Sequence, residues 1–283
     1  MKKLLLTIAF SIAIQVIAQD LPQPSPLGSS QQQVGLTDIA ISYSRPSVKG
    51  RVIFGDLIPF GKHWRLGANK NSTISFSTQV KLGNKVVEPG TYSISAIVNE
   101  DNWTIILNRN ADMWGLGDFN ADEDLLRLTV PVRNTEPTES LYMGIENLNV
   151  ESADLVITWS DKGVSIPLKI ETLGIAQRNI NQTLSAKPED LKVKRNAARF
   201  LIQNNLNTNL ATELMDAVLK DKPDNWYNNF LSAQLFANQG RIKDAQKAAK
   251  RSMTLGRKDA KSRNIEFAYD DEIKAFTKNL RNQ

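Results

Sequence analysis

The chain's only histidine, His63, lies in the run SRPSVKGRVIFGDLIPFGKHWRLGAN, residues 44–69. The same run holds Arg45, Lys49, Arg51, Lys62 and Arg65 against one acid, Asp56. Two chemistries suit these residue types. Arginine presents a planar donor fork that matches carboxylate or phosphate, and it stays charged. Arg45, Arg51 and Arg65 on one bent segment can converge on an anion, with Asn69 and exposed backbone N–H groups beside them. Trp64 can stack on a sugar or base there. The ligands that fit are a phosphorylated or acidic saccharide, a peptide carboxylate or a nucleotide. The second chemistry is hydrolysis of an envelope glycan or ester, with His63 as base and Asp56 and Arg65 as its companions. Ser44, Ser47 and Ser72 are nearby in sequence, but no G-x-S-x-G accompanies them. A plainer reading also fits: the arginines pair with acids such as Asp56, Glu88 or Asp112 and staple the segment.

Metal chemistry finds less support. A single histidine and no cysteine exclude disulfides, thiol catalysis and the zinc sites that need two such ligands. Asp118, Asn120, Asp122 and Asp124 place oxygen side chains at alternate positions, as the start of a calcium loop does. The match then breaks, because Glu123 stands where glycine is needed and Thr129 where the bidentate glutamate belongs. An exposed acidic turn is the expectation, and no cofactor is expected.

The elements that must hold the cationic run are strands. LTDIAISYS, residues 36–44, alternates with Ile39, Ile41 and Tyr43 on one face, and STISFSTQVKL alternates again. Gly83-Asn84 and Glu88-Pro89-Gly90 mark turns. TYSISAIV, WTIILN, LLRLTVPV, SLYMGIENLNV, ADLVITWS and VSIPLKI follow as short β-branched runs. This spacing predicts an antiparallel β-sandwich or partly open barrel over residues 31–170. Trp103, Phe76, Tyr92 and Trp159 are its expected core anchors. The cationic run is then an ordered excursion at one end of the sandwich, bent at Gly50, Gly55, Gly61 and Gly67.

The C-terminal third changes period. Residues 171–186 are expected as a linker or short helix, with a helical module over 187–283. Ala197, Ala198, Leu201 and Ile202 share a face, as do Leu210, Leu214, Ala217 and Val218. WYNNFLSAQLFANQG and RIKDAQKAAKRSMTLG predict a helical hairpin turning at Gly240. Small residues at Ala233, Ala245 and Ala249 resemble a tetratricopeptide repeat, with a weaker copy upstream at Ala198. A plain helical bundle is the alternative. Such an array would offer a concave surface to a protein partner.

The run YSRPSVKGRVIFGDLIPFGKHWRLGAN, followed by TISFST, EPGTYSISAIV, WTIILN and MWGLGDFNADEDLLRLTV, resembles the Bacteroidota-associated domain of unknown function 2911. The resemblance covers roughly Gln31 to Ile170. It implies an exported protein with a β-rich domain, sometimes followed by helical repeats, and no established activity or catalytic residue. The family pattern often carries an acid just after Gly-Ala-Asn, where this chain has Lys70.

The first residues predict the compartment. Lys2 and Lys3 precede an apolar run from Leu4 to Ala18, and Val16 and Ala18 suit cleavage before Gln19. Residues 1–18 therefore read as a signal peptide and 19–30 as a flexible segment. The expected location is periplasmic or secreted, with no membrane-spanning segment after cleavage. Residues 20–186 carry 14 basic and 18 acidic side chains, and residues 187–283 carry 19 and 12. Arg241 to Arg263 alone holds nine Lys or Arg against two acids. That face could meet anionic lipid phosphates or an acidic protein; export argues against nucleic acid as a partner.

Overall fold

The computed structural model describes residues 21–280, so the expected signal peptide lies outside the described residues. The chain divides between Thr172 and Leu173 into two compact units, the first β and the second α. Among the described residues no helix is long and apolar enough to cross a membrane.

The first unit is two facing antiparallel sheets, neither of them closed. The larger is built from β1 (Leu27–Val34), β2 (Thr37–Ser44), β3 (His63–Trp64), β4 (Ser72–Phe76), β7 (Gly90–Val98), β8 (Asn102–Asn108) and β9 (Asp124–Pro131). They pair in the order β1-β2-β4-β7-β8-β9, and the two-residue β3 pairs with β7. The smaller sheet runs β10-β11-β5-β6, from β5 (Val80–Leu82), β6 (Lys85–Val87), β10 (Arg133–Glu146) and β11 (Ser152–Ile170).

Alternation explains the core. Ile39, Ile41 and Tyr43 of β2, Ile74 and Phe76 of β4, and Ile94, Ala96 and Val98 of β7 are all buried. Leu82, Leu141, Met143, Leu155, Ile157 and Trp159 bury the facing surface of the smaller sheet. Each buried branched side chain contributes about 1.5–3 kcal/mol. Gly83-Asn84 forms the two-residue turn between β5 and β6, with Gly83 at φ 58°.

One flank of the sandwich is laced together. Beyond β2 the chain crosses at Pro46, whose carbonyl accepts from Leu141 N at 3.0 Å, and Val48 N donates to Glu139 O at 2.7 Å. Just before the crossing, the Tyr43 hydroxyl donates to Met143 O and accepts from Met143 N at 2.9 Å. These bonds use main-chain groups of β10 that face away from β11, as the accounting of buried polar groups requires.

Several expectations change here. The segment expected to be flexible, residues 19–30, takes in the first half of β1, which pairs residue for residue with β2 through Gly35 at φ 56°. Its sequence, LGSSQQQV, has no apolar alternation because it is an edge strand with little to bury. Tyr92 is not a core anchor; it sits near the end of β7 with its hydroxyl on Glu88 O.

In the second unit, the stretch expected as a linker or short helix is the helix α1 (Thr172–Ala186), where Ile180 and Leu184 pack on a cluster formed by the next helices. α2 (Leu191–Gln203) starts at Asp190, whose carboxylate accepts from Lys192 N and Val193 N. α3 (Thr208–Asp221), α4 (Trp226–Asn238), α5 (Ile242–Ser262) and α6 (Asp270–Asn279) complete the unit. Ala198, Ala211, Ala233, Ala245 and Ala249 are fully enclosed where helices pack. Ala211 takes the place on the α3 face that was expected of Ala217. α6 was not anticipated; its Ile273 closes a cluster with Phe230, Ala233 and Ala249.

Candidate functional site

The excursion between β2 and β4 is rigid. Gly50, Gly55, Gly61 and Gly67 all hold positive φ, as do Lys49, Leu66 and Asn69. At Gly67 a Cβ would stand 2.9 Å from Ser44 O, so the close approach of two backbones demands glycine. Residues 52–58 fold into a ridge held by Ile58 N→Ile53 O at 2.8 Å and Gly55 N→Ile58 O at 2.9 Å. Phe54 anchors the ridge, its ring 5.1 Å from that of Trp103 and 6.4 Å from that of Trp159.

Trp64 belongs to this aromatic group. It is 6 % exposed, stacks on Trp159 and meets Phe54 and Trp103 edge-on. The stacking expected against a ligand is made inside the core instead. Alternation in β3 explains it: His63 faces outward and Trp64 inward.

The arginines are not stapled by carboxylates. Arg45 Nε donates to Leu141 O at 3.0 Å, Arg65 Nη1 to Asn69 O at 2.9 Å, and Arg51 to the carbonyls of Ser47 and Val48. Among the described residues none of the three has an acidic partner. Of the expected staples, Asp112 pairs with Lys70 at 2.6 Å and Glu88 accepts from Gln79. Lys70, next to Asn69, takes the Asp112 carboxylate for itself.

Four of the five residues expected to bind a ligand line one cleft of about 330 Å³: Arg51, Trp64, Arg65 and Asn69. Trp159 lines it too, and its indole Nε1 is buried without a hydrogen-bond partner. Among the described residues, Arg51 and Arg65 are the only charged side chains in that lining. The Arg65 guanidinium is held flat against Gly115, where a Cβ would stand 2.8 Å from Nη1. Asn69 donates its amide to Ser25 O and Ser44 Oγ, which shapes the rim. Arg45 does not join them. It leaves β2 one residue before the crossing at Pro46, lies over Gly28 and bonds β10.

His63 is turned to the other side of its strand. Its Nε2 lies 2.8 Å from Ser95 Oγ, and the Phe119 ring covers it edge-on at 4.4 Å. Burial, and then the charge of Arg127, hold the imidazole below its ordinary pKa of 6.5; Asp124 opposes them. Asp56 is exposed and makes no bond to His63. Ser44, Ser47 and Ser72 bond elsewhere. Asp124 does not complete a triad, because its carboxylate accepts from Asn108 and from Arg127.

Two of the four residues of the calcium alternative are engaged by the protein itself. Asn120 caps the short turn Ala121–Glu123 by accepting from Asp122 N, and Asp124 is occupied as described. Among the described residues no three Asp, Glu or His side chains come together to hold a metal ion.

The family model described as protein of unknown function (DUF2911) matches residues 25–168, half of the chain. The chain belongs to the DUF2911 family. No curated protein and no solved structure matches it. The DUF2911 match begins at residue 25, not at the expected Gln31, and so takes in all of β1. Every residue of the 330 Å³ cleft falls inside the DUF2911 segment, and the helical unit lies outside it.

Sequence reasoning missed Ser95, Phe119 and Trp159 as neighbours of these sites. Ser95 carried a signal only in hindsight: within TYSISAIV it alternates with Ile94 and Ala96, so it must face away from the core. Nothing local joins Phe119 to His63 across 56 positions.

Proposed function

We propose that this is an exported cell-envelope protein whose β unit is a non-enzymatic binding module for an anionic group, free or carried on a glycan. The observation that carries the reading is the shared cleft of Arg51 and Arg65. Both guanidinium groups are fixed by main-chain carbonyls, which leaves their charge uncancelled and part of each donor fork unused. Preformed, cationic and part apolar, the cleft falls within the size range of small-ligand sites, about 300–1,000 Å³. The helical unit supplies a protein-contact surface in this reading. Its pairs α2/α3 and α4/α5 start 35 and 34 residues apart, at Leu191 and Trp226 and at Thr208 and Ile242, which is the spacing of a tetratricopeptide-like array.

Titration calorimetry with inorganic phosphate and with glucuronic acid tests the cleft. Binding should weaken as salt rises, and Arg51→Gln or Arg65→Gln should weaken it at least about tenfold with little change in melting temperature, an effect of roughly 1.4 kcal/mol. Absence of binding by both probes, or binding indifferent to both substitutions, rules the site out.

The hydrolase alternative has the His63–Ser95 contact in its favour. Against it, Ser95 is buried, Phe119 covers the imidazole, and the nearby carboxylate of Asp124 is bonded to other groups. A serine-directed phosphonate that labelled Ser95 in the native protein, and failed to do so in His63→Ala, would reinstate it.

A further inference from the structure

Arg51 stands in the walls of two clefts. The first is the cationic one. The second, about 470 Å³, lies across the ridge and is bounded by the β7–β8 turn, by Val132 and by residues 160–162 of β11. The ridge between them is preorganised by its own hydrogen bonds and by Phe54, and it exposes the apolar side chains Val52 and Leu57, with Phe60 exposed just beyond its end.

The two linings differ in a way that describes one ligand. Among the described residues, the charged groups in the first cleft are cations alone. In the second, Arg51 and Lys162 are balanced by Glu100 and Asp161. The second cleft therefore favours no net charge, yet it is rich in both donors and acceptors. An aromatic wall comes from Phe54, Phe60 and the nearly enclosed Trp103, with Val52, Ile53 and Val132 beside them. Phe60 leans over Gly55, where a Cβ would stand 3.0 Å from its ring, and remains 44 % exposed.

Hydroxyl groups that both donate and accept, set around an apolar C–H face, are the surface of a neutral sugar. Acids, amides and cations around an aromatic ring complement that surface. A bare phosphate gains no net attraction there, because Glu100 and Asp161 offset Arg51 and Lys162. An extended peptide recognised by strand addition needs a sheet edge, whereas the second cleft is built from a turn, a strand junction and a bulged stretch around Ser160 at φ 54°.

We infer that the ligand is an acidic oligosaccharide astride the Arg51 ridge, with its anionic unit in the first cleft and a neutral sugar unit in the second. This rests on the anion reading of the first cleft and extends it to a second subsite. Arg51 faces both units. Arg65 faces the anionic one, and Phe60 and Asp161 face the neutral one.

The test is calorimetry on the intact protein with four probes: glucuronic acid, glucose 6-phosphate, a glucuronosyl-xylose disaccharide and neutral xylobiose. The disaccharide should bind at least about tenfold tighter than glucuronic acid, an effect of roughly 1.4 kcal/mol. Phe60→Ala and Asp161→Asn should erase that advantage and leave glucuronic acid unchanged, while Arg65→Gln weakens both acidic sugars. Xylobiose alone should bind weakest. Comparing glucuronic acid with glucose 6-phosphate identifies carboxylate or phosphate as the preferred anion. A disaccharide no tighter than glucuronic acid overturns the second subsite and leaves the anion site standing. So does an advantage that survives both Phe60→Ala and Asp161→Asn in variants that melt normally. Failure of all the acidic probes to bind overturns both readings.

Discussion

The ring of Trp64 stacks on that of Trp159, with centroids 5.7 Å apart and planes within 20° of parallel. Trp64 belongs to the excursion that carries the cations, and Trp159 to the long strand of the opposite sheet. The contact therefore ties the candidate site to the core, and the geometry of Arg65 depends on it through the next peptide bond.

Trp64→Ala should destabilise the β unit by about 3–5 kcal/mol, the cost of emptying a buried aromatic position. Urea unfolding followed by circular dichroism measures it. A loss below about 1 kcal/mol would mean that the neighbouring rings close the gap without penalty, and the supporting role of this stack would be withdrawn.

Tyr43→Phe should cost about 1–3 kcal/mol, because both main-chain groups of Met143 lose their partner while buried. The amide of Met143 should also exchange with deuterium faster than its neighbours in β10. Unchanged exchange would show that another group satisfies it.

Acid should act on His63. Its imidazole is held below the ordinary value of 6.5, first by burial and then by Arg127. The folded state thus binds fewer protons than the unfolded state just below that value. The stability this provides is complete above pH 6.5 and is lost as pH falls through the lowered folded pKa. In His63→Gln the urea midpoint should depend less on pH across that window. An equal slope in both proteins would place the acid sensitivity elsewhere.

The helical unit has a different acid response. Arg257 and Lys274 hold the Asp270 carboxyl down to about 2. Arg257 grips it through Nε and Nη2, and Lys274 pairs with it at 2.7 Å. The contribution is present above 3.8 and disappears as pH falls toward 2. Because the cluster is exposed it is modest and weakened by salt. Asp270→Asn should lower the helical melting temperature at neutral pH and low salt, and the difference should vanish at high salt. A difference that persisted there would contradict an electrostatic origin.

Much of the architecture was legible because strands that bury one face announce it. Ile39, Ile41 and Tyr43 in β2 follow that rule, and so do Leu201 and Ile202 with the enclosed alanines of the helices. β1 was illegible because an edge strand of Ser and Gln has no buried face to announce. The cleft was half legible. Cation density marked Arg51 and Arg65, but parity along the chain could not show that Arg45 would serve β10. Nor could spacing place Trp64 in the core, since a two-residue strand has no period to read. Ser95 and Phe119 reach His63 only through tertiary packing.

The pairing of β5 with β11 carries a consequence for how the molecule is made. Val80 meets Ile170, and Leu82 meets Leu168, so the hairpin of β5 and β6 has no sheet to join until residues 168–170 are at hand. β1 and β2, by contrast, zip together around Gly35 as soon as they emerge. Closing so long a loop is the slow, entropically opposed part of β assembly. A chain truncated before Leu168 would carry Val80, Leu82 and Val87 bare, and would be a substrate for chaperones or proteases.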